Sequence, residues 1–363
     1  MSLTPQPRAG ILDIAPYVGG DAKSPAADVY KLSSNENPLG ASPGARAAFA
    51  DCAHELALYP DGGALRLRAA IAARYGLHPD RIMCAAGSDE IFQLLGRAYL
   101  DPGDEVIQSA HGFLVYRLVA QQAGAVCLSA PERALTADVD AMLALVTPRT
   151  RLVFLANPNN PTGTYLPSSE VARLHAGLPP NVLLVLDAAY AEYVQRSDYS
   201  AGLDLASEHD NVLMTRTFSK IYGLAALRLG WAYGPQLVID ALNRVRGPFN
   251  VSSPALAAGV AALEDEEFVE RSRAFNAQEC ERMQAAFAQL GVLAAPSVGN
   301  FVLIRLAQTG SRCAAAADAA LRARGLVVRS VKAYGLDDCL RISIGPVEAN
   351  TAVIETVRSV MAT

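Results

Sequence analysis

Val182-Leu183-Leu184-Val185-Leu186-Asp187-Ala188-Ala189-Tyr190 is a run of five apolar residues that stops on a carboxylate. Such a run has no polar face, so it predicts a strand covered on both sides, as in a parallel sheet sandwiched by helices. Upstream, strands are expected at Arg81–Ala86, Glu105–Ser109, Ala125–Leu128 and Arg151–Ala156; downstream, at Val212–Thr215 and Leu229–Ala232. Helical segments alternate with them: Gly87 through Leu100, Phe113–Gln122, Val139–Leu145 and Ser169–Gly177. The alternation predicts an α/β fold with a mostly parallel, doubly wound sheet.

The texture changes after Asn243. Gly247-Pro248-Phe249-Asn250 and Ser252-Ser253-Pro254 break the pattern, and a helical stretch over Ala255–Leu290 follows. Then come a strand at Phe301–Arg305, a helix over Ala314–Arg324, strands at Val327–Arg329 and Leu340–Ser343, and a closing helix. This predicts a smaller α+β C-terminal domain, residues 248–363, after a large domain of residues 31–247. Residues 1–30, with four prolines, read as an arm packing on the small domain or on a dimer partner.

Composition narrows the function. The 363 residues can bury a large core, and the net charge of -5 lacks the basic footprint of a nucleic-acid binder. The six cysteines are scattered without metal-ligand spacing, so no metal and no disulfide are expected. The sequence shows neither a signal-peptide pattern nor a run apolar enough for a membrane helix, which predicts a cytoplasmic protein. Lysine occurs only at Lys23, Lys31, Lys220 and Lys332; the rest of the 31 basic residues are arginine. Any chemistry that needs a primary amine therefore has four side-chain candidates.

Ligands of open α/β sheets bind beyond the carboxyl ends of the strands, and four segments there carry polar residues. Gly87-Ser88-Asp89-Glu90 opens a helix at a strand end, either as a phosphate-type anion site or as a plain cap by Ser88. Asn157-Pro158-Asn159-Asn160-Pro161-Thr162-Gly163 is a loop that a rigid turn would also explain. Asp187 ends an apolar strand, so its charge needs a cation, from a ligand or from a structural arginine. Thr217-Phe218-Ser219-Lys220 places an amine after a strand, with Arg228 eight residues on; a solvated lysine is the alternative.

Together the four segments suit one ligand that combines a phosphate, an aldehyde and a basic ring nitrogen: pyridoxal 5′-phosphate. Lys220 would form the Schiff base and later move the α-proton. Asp187 would pair with the ring nitrogen. Gly87, Ser88 and Asp89, with Ser219 and Arg228, would hold the phosphate. Asn160 and Tyr190 would hydrogen-bond the phenolic oxygen.

Asp13-Ile14-Ala15-Pro16-Tyr17-Val18, Leu32-Ser33-Ser34-Asn35-Glu36-Asn37-Pro38-Leu39-Gly40, Tyr59-Pro60-Asp61 and Arg216-Thr217-Phe218-Ser219-Lys220-Ile221-Tyr222-Gly223-Leu224-Ala225 complete a pattern running nearly the whole chain. It resembles the fold-type I pyridoxal-phosphate aminotransferases and, within them, the histidinol-phosphate aminotransferases. The resemblance implies a reversible ping-pong exchange, in which histidinol phosphate and 2-oxoglutarate give imidazole acetol phosphate and glutamate. It implies that Phe113 stacks on the cofactor ring. It also implies that Tyr59 reaches the phosphate of a partner subunit's cofactor, so that a homodimer shares its sites. Arg341 would take the carboxylate of glutamate and, helped by Arg329 and Tyr17, the phosphate of histidinol phosphate; Asn37 joins them as a substrate residue.

Two places depart from the family pattern: Asp187-Ala188-Ala189-Tyr190 stands where Asp-Glu-Ala-Tyr is usual, and His111-Gly112-Phe113 where Pro-Thr-Tyr is frequent. Both lie beside the expected cofactor and bear on substrate choice. An aromatic amino-acid aminotransferase and a phospho-amino-acid decarboxylase would share Lys220, Asp187 and Arg228. A cofactor-sensing regulator would need a basic domain that the arm is too short to supply. A nicotinamide dehydrogenase is disfavoured, because no G-x-G-x-x-G follows a strand.

Overall fold

A computed structural model describes residues 4–16, 19, 24, 26 and 28–362. Seven strands form the main sheet: β1 (Ile82–Ala85), β2 (Glu105–Ser109), β3 (Val126–Ala130), β4 (Thr150–Ala156), β5 (Leu183–Asp187), β6 (Val212–Thr217) and β7 (Gly230–Tyr233). Their order is β1-β7-β6-β5-β4-β2-β3, and β7 alone runs against its neighbours. Alternate residues feed two cores. Leu184 and Leu186 of β5 join Val212, Met214 and Trp231 on one face, while Leu183 and Val185 join Phe154, Leu213 and Ala232 on the other. Burial on both faces, worth about 1.5–3 kcal/mol per large apolar side chain, is why β5 reads as an unbroken apolar run.

A second, antiparallel sheet contains β8 (Phe301–Arg305), β9 (Arg329–Ser330) and β10 (Cys339–Ser343), with β10 central. Its core takes Val302, Ile304 and Ile342 together with Met283 and Phe287 of the helix Glu266–Gln289. Tyr30–Lys31 pairs in parallel with Leu326–Val327, so the segment leading into Leu32 is tied to this region.

Three details differ from the sequence pattern. The expected helix over Ala255–Leu290 is two helices, Ser253–Glu264 and Glu266–Gln289; the Asp265 carboxylate accepts from Phe268 N and caps the second. Ala255, Ala258 and Ala262 of the first pack in a core of the seven-stranded sheet. The expected strand Val327–Arg329 divides at Val328, its halves pairing in different sheets. Helices Pro43–Asp51, Leu65–Tyr75 and Gln236–Val245 lie in stretches that the apolar pattern does not single out. All six cysteines are free thiols, and no helix among the described residues is long and apolar enough to cross a membrane.

Candidate active site

The carboxyl ends of β1, β4, β5 and β6 converge on a cavity of about 240 Å³ closed from the other side by β9, β10 and the segment Ser33–Glu36. Asp187, the last residue of β5, is buried there. Its Oδ2 accepts from the Tyr116 hydroxyl at 2.6 Å and its Oδ1 from Ala189 N at 3.3 Å. Among the described residues, no arginine or lysine nitrogen lies within ion-pair distance of it. Burial pushes its pKa up to about 6 against the opposing hydrogen bond from Tyr116.

Lys220 sits on the loop after β6. That loop is pinned by Phe218 N to Leu229 O (2.9 Å), Ser219 N to Thr217 Oγ1 (3.1 Å) and Leu224 N to Phe218 O (3.0 Å). The Lys220 amine donates to Ser34 O at 3.2 Å and lies 5.6 Å from the centre of the Tyr190 ring. Desolvation, then the nearby Arg341 charge, lowers its pKa to about 8, so about a tenth is free amine at pH 7 and about half at pH 8.

At one end of the cavity, Gly87 is the N-cap of the helix Ser88–Tyr99 with φ of 83° and offers no side-chain cap. Ser88 is therefore the first helical residue rather than the cap, and the first-turn amides face the cavity end without a side-chain acceptor. Glu90 reaches back to accept from Ala86 N at 2.6 Å. Arg228, at φ of 50°, donates to Ser219 Oγ (3.2 Å) and Asp89 Oδ2 (3.3 Å). β7 begins at Gly230, where a Cβ would fall 2.6 Å from Ser88 N; only glycine lets the strand pass so close.

The other end holds Arg341, buried on β10. It donates from Nη1 to Asn160 Oδ1 at 2.5 Å and from Nη2 to Ser33 O at 2.7 Å. Arg329 also lines the cavity, and its Nη1 donates to Gly19 O of the arm at 2.6 Å. Between the two ends, the Tyr190 hydroxyl accepts from Asn35 Nδ2 at 2.9 Å, and Phe113 forms part of the wall. Arginines at two ends, an amine of lowered pKa and a buried carboxylate with no ion-pair partner among the described residues thus line one cavity.

The family model for aminotransferases of classes I and II matches residues 27–357. This chain belongs to that family. The histidinol-phosphate aminotransferase of Rhodospirillum centenum is 58% identical to this aminotransferase over 342 residues, covering 94% of each chain. That of Maricaulis maris is 54% identical, covering 98% of this chain and 99% of its own. The solved structure of histidinol-phosphate aminotransferase from Sinorhizobium meliloti, in complex with pyridoxal-5'-phosphate, superposes with a TM-score of 0.88 at 27% identity, covering 99% of both chains. The fold is that of the fold-type I aminotransferases.

The other residues singled out from the sequence of this aminotransferase fall as follows. Asn37 lies behind the cavity, where its amide donates to Ile221 O (2.7 Å) and Ser272 Oγ (3.0 Å) and clasps the lysine loop to the long helix. Tyr59 is 82% exposed and stacks on Phe249, its ring centre 4.6 Å away. Tyr17 lies outside the described residues. His111 is held by Glu132, with Nδ1 and Oε2 2.7 Å apart. Arg216, on the face of β6 away from the cavity, pairs with buried Glu192 at 3.1 Å and lies over the Tyr75 ring. Asn35 and Glu36 belong to a quoted motif but receive no role from the sequence, and Tyr116 escapes it altogether: it looks like a core aromatic, and its contact with Asp187 spans 71 positions.

Proposed function

We propose that this chain is a pyridoxal 5′-phosphate-dependent histidinol-phosphate aminotransferase, moving an amino group between histidinol phosphate and 2-oxoglutarate in two half-reactions. One observation carries the reading: the Lys220 amine and the Asp187 carboxylate, which has no ion-pair partner among the described residues, face a single cavity with Arg228 and the start of a helix at one end and Arg329 and Arg341 at the other. The residues fit the cofactor. Asp187 would take the protonated ring nitrogen, Phe113 the ring face, and Ser219, Arg228 and the amides beside Gly87, Ser88 and Asp89 the phosphate. Asn160 spends its Oδ1 on Arg341, which leaves Nδ2 to donate, and Tyr190 accepts from Asn35, which leaves its O–H to donate. Both are thereby poised as donors for the phenolic oxygen. When bound, the cofactor supplies an electron sink for the bond broken at the substrate α-carbon.

Lys220 supplies the amine that anchors the cofactor and, once released, the base that carries the α-proton; a pKa near 8 suits both tasks near neutral pH. Arg341 takes the glutamate carboxylate, and with Arg329 and Tyr17 the phosphate of the other substrate. Asn37 contributes by holding the lysine loop. Exposed Tyr59, with exposed Leu56, Leu58 and Phe249 nearby in sequence or space, supports a homodimer in which Tyr59 reaches the partner's cofactor phosphate. The two sheets support a large and a small domain, expected at residues 31–247 and 248–363; the packing of the helix Ser253–Glu264 in the large sheet's core favours a boundary nearer Asp265. On this reading the enzyme serves histidine biosynthesis, with the cytoplasm as its proposed compartment.

Turnover of histidinol phosphate, phenylalanine and tyrosine, each with 2-oxoglutarate, tests the substrate. Histidinol phosphate is expected to lead in kcat/KM; preference for an aromatic acid would move the assignment to an aromatic amino-acid aminotransferase. Turnover retained by Lys220→Ala would overturn the chemistry itself.

A further inference from the structure

We propose that Tyr116 is a positioning residue that acts through Asp187, setting how tightly and over what pH range the protein holds the protonated ring of pyridoxal phosphate. The proposal rests on the functional reading above and deepens it.

Tyr116 lies in the first turn of the helix Leu114–Ala123 and is fully buried. Its ring has no freedom to turn away. It stacks on Phe154 at 4.4 Å with the planes 5° apart, and Phe92 and Phe113 meet it edge-on at 5.2 and 5.8 Å. A hydroxyl in such an apolar box must find a partner, and it finds Asp187 Oδ2 at 2.6 Å, the length of a charge-assisted bond. Burial and the neighbouring carboxylate push the phenol well above its ordinary pKa, so Tyr116 keeps its proton and always donates.

Among the described residues, five titratable side chains face Asp187 electrostatically: Tyr116 from its helix, Asp89 from the helix Ser88–Tyr99, Lys220 from the loop after β6, and the phenols Tyr190 and Tyr199, which burial keeps protonated. Desolvation and Asp89 disfavour the carboxylate; the Tyr116 and Ala189 hydrogen bonds and the Lys220 charge favour it. Of the groups favouring it, Tyr116 makes the strongest contribution. It fixes Oδ2 in place and favours the ionised form, the one that a protonated ring requires. Phe113 immediately precedes the same helix, so the stacking wall and the carboxylate are registered to one turn of backbone.

Tyr116→Phe keeps the ring and deletes only the hydroxyl, and 3-fluorotyrosine at position 116 keeps the hydroxyl but makes it a stronger donor. In the ligand-free protein, the Asp187 carboxyl is followed by 13C NMR against pH, with Asp187→Asn assigning the signal. Its pKa is expected to move up in Tyr116→Phe and down in the fluorinated protein. By equilibrium dialysis, Tyr116→Phe should raise the Kd for pyridoxal phosphate by roughly tenfold and shift cofactor loss to higher pH. An Asp187 titration and a Kd both unmoved in Tyr116→Phe would overturn the proposal, as would an unmoved titration in the fluorinated protein. Wild-type protein that does not retain pyridoxal phosphate would instead sink the functional reading.

Discussion

Gly87 and Arg228 compete for the same space: a Cβ on residue 87 would fall 2.5 Å from Nη2 of Arg228. Both residues sit at positive φ, 83° and 50°, and each conformation places a donor at the same cavity end. Gly87→Ala must displace the guanidinium and adopt φ 83°, ψ 166°, a backbone region that is essentially glycine's alone, at about 1–3 kcal/mol. It should weaken pyridoxal-phosphate binding by roughly 10- to 100-fold, read by titrating the ligand-free protein, while far-UV circular dichroism stays that of wild type. Unchanged affinity would mean that this end does not hold the phosphate.

Arg341 and Arg329 should separate kinetically. Arg341→Ala leaves Asn160 Oδ1 and Ser33 O without their donor and removes the anion partner for both substrates. KM for glutamate and for histidinol phosphate should each rise by roughly 10- to 100-fold. Arg329→Ala should raise KM mainly for histidinol phosphate. Equal effects of the two variants on both substrates would contradict the division of labour.

Asp187 gives the ligand-free protein a defined pH response. Its folded pKa, about 6, lies above the ordinary carboxylate value near 4, so the folded state binds more protons in that window. Its contribution to stability is therefore fully present below about pH 4 and is lost as pH rises through 6. Asp187→Asn carries no such term. The melting temperature of wild type minus that of the variant should fall between pH 4 and 6; a flat difference would refute a raised pKa. Pyridoxal-phosphate uptake should increase from pH 6 to 8, as first Asp187 ionises and then Lys220 loses its proton.

Behind the cavity, Glu192 is the buried partner of Arg216 and its carbonyl accepts from Arg273 Nε at 2.7 Å. Glu192→Ala strands a buried guanidinium and should cost about 3–5 kcal/mol, measured by urea unfolding. The apolar pair Arg216→Met with Glu192→Leu should recover most of that loss. If the single variant costs under about 1 kcal/mol, the pair behaves as a solvated one.

What the sequence discloses depends on how far its physical cause reaches along the chain. Leu183–Leu186 announces a doubly covered strand because burial on both faces strips every polar residue from it. Asp187 stands out as an ionisable group ending an apolar strand, and Lys220 as one of four lysines, placed just after a strand beside Ser219. Asp265 illustrates a local signal that is easy to pass over: an acidic residue capping a helix inside what reads as one helical run. Val328 is different in kind. Nothing around it tells that its two neighbours pair with different sheets, because strand pairing is decided by distant segments. Tyr116 and Asn35 share that difficulty, since each is defined by a partner 71 or 155 residues away.

The adjoining carbonyls of Ser33 and Ser34 receive, respectively, the Arg341 guanidinium from the small sheet and the Lys220 amine from the large one. One peptide unit, about 3.8 Å from Cα to Cα, thus acts as a spacer bar between the two cations. It sets their separation more directly than the 121 positions of chain that divide them. The Arg341 end and the Lys220 end of the cavity are thus built on one stretch of backbone, so a change at Ser33 or Ser34 touches both.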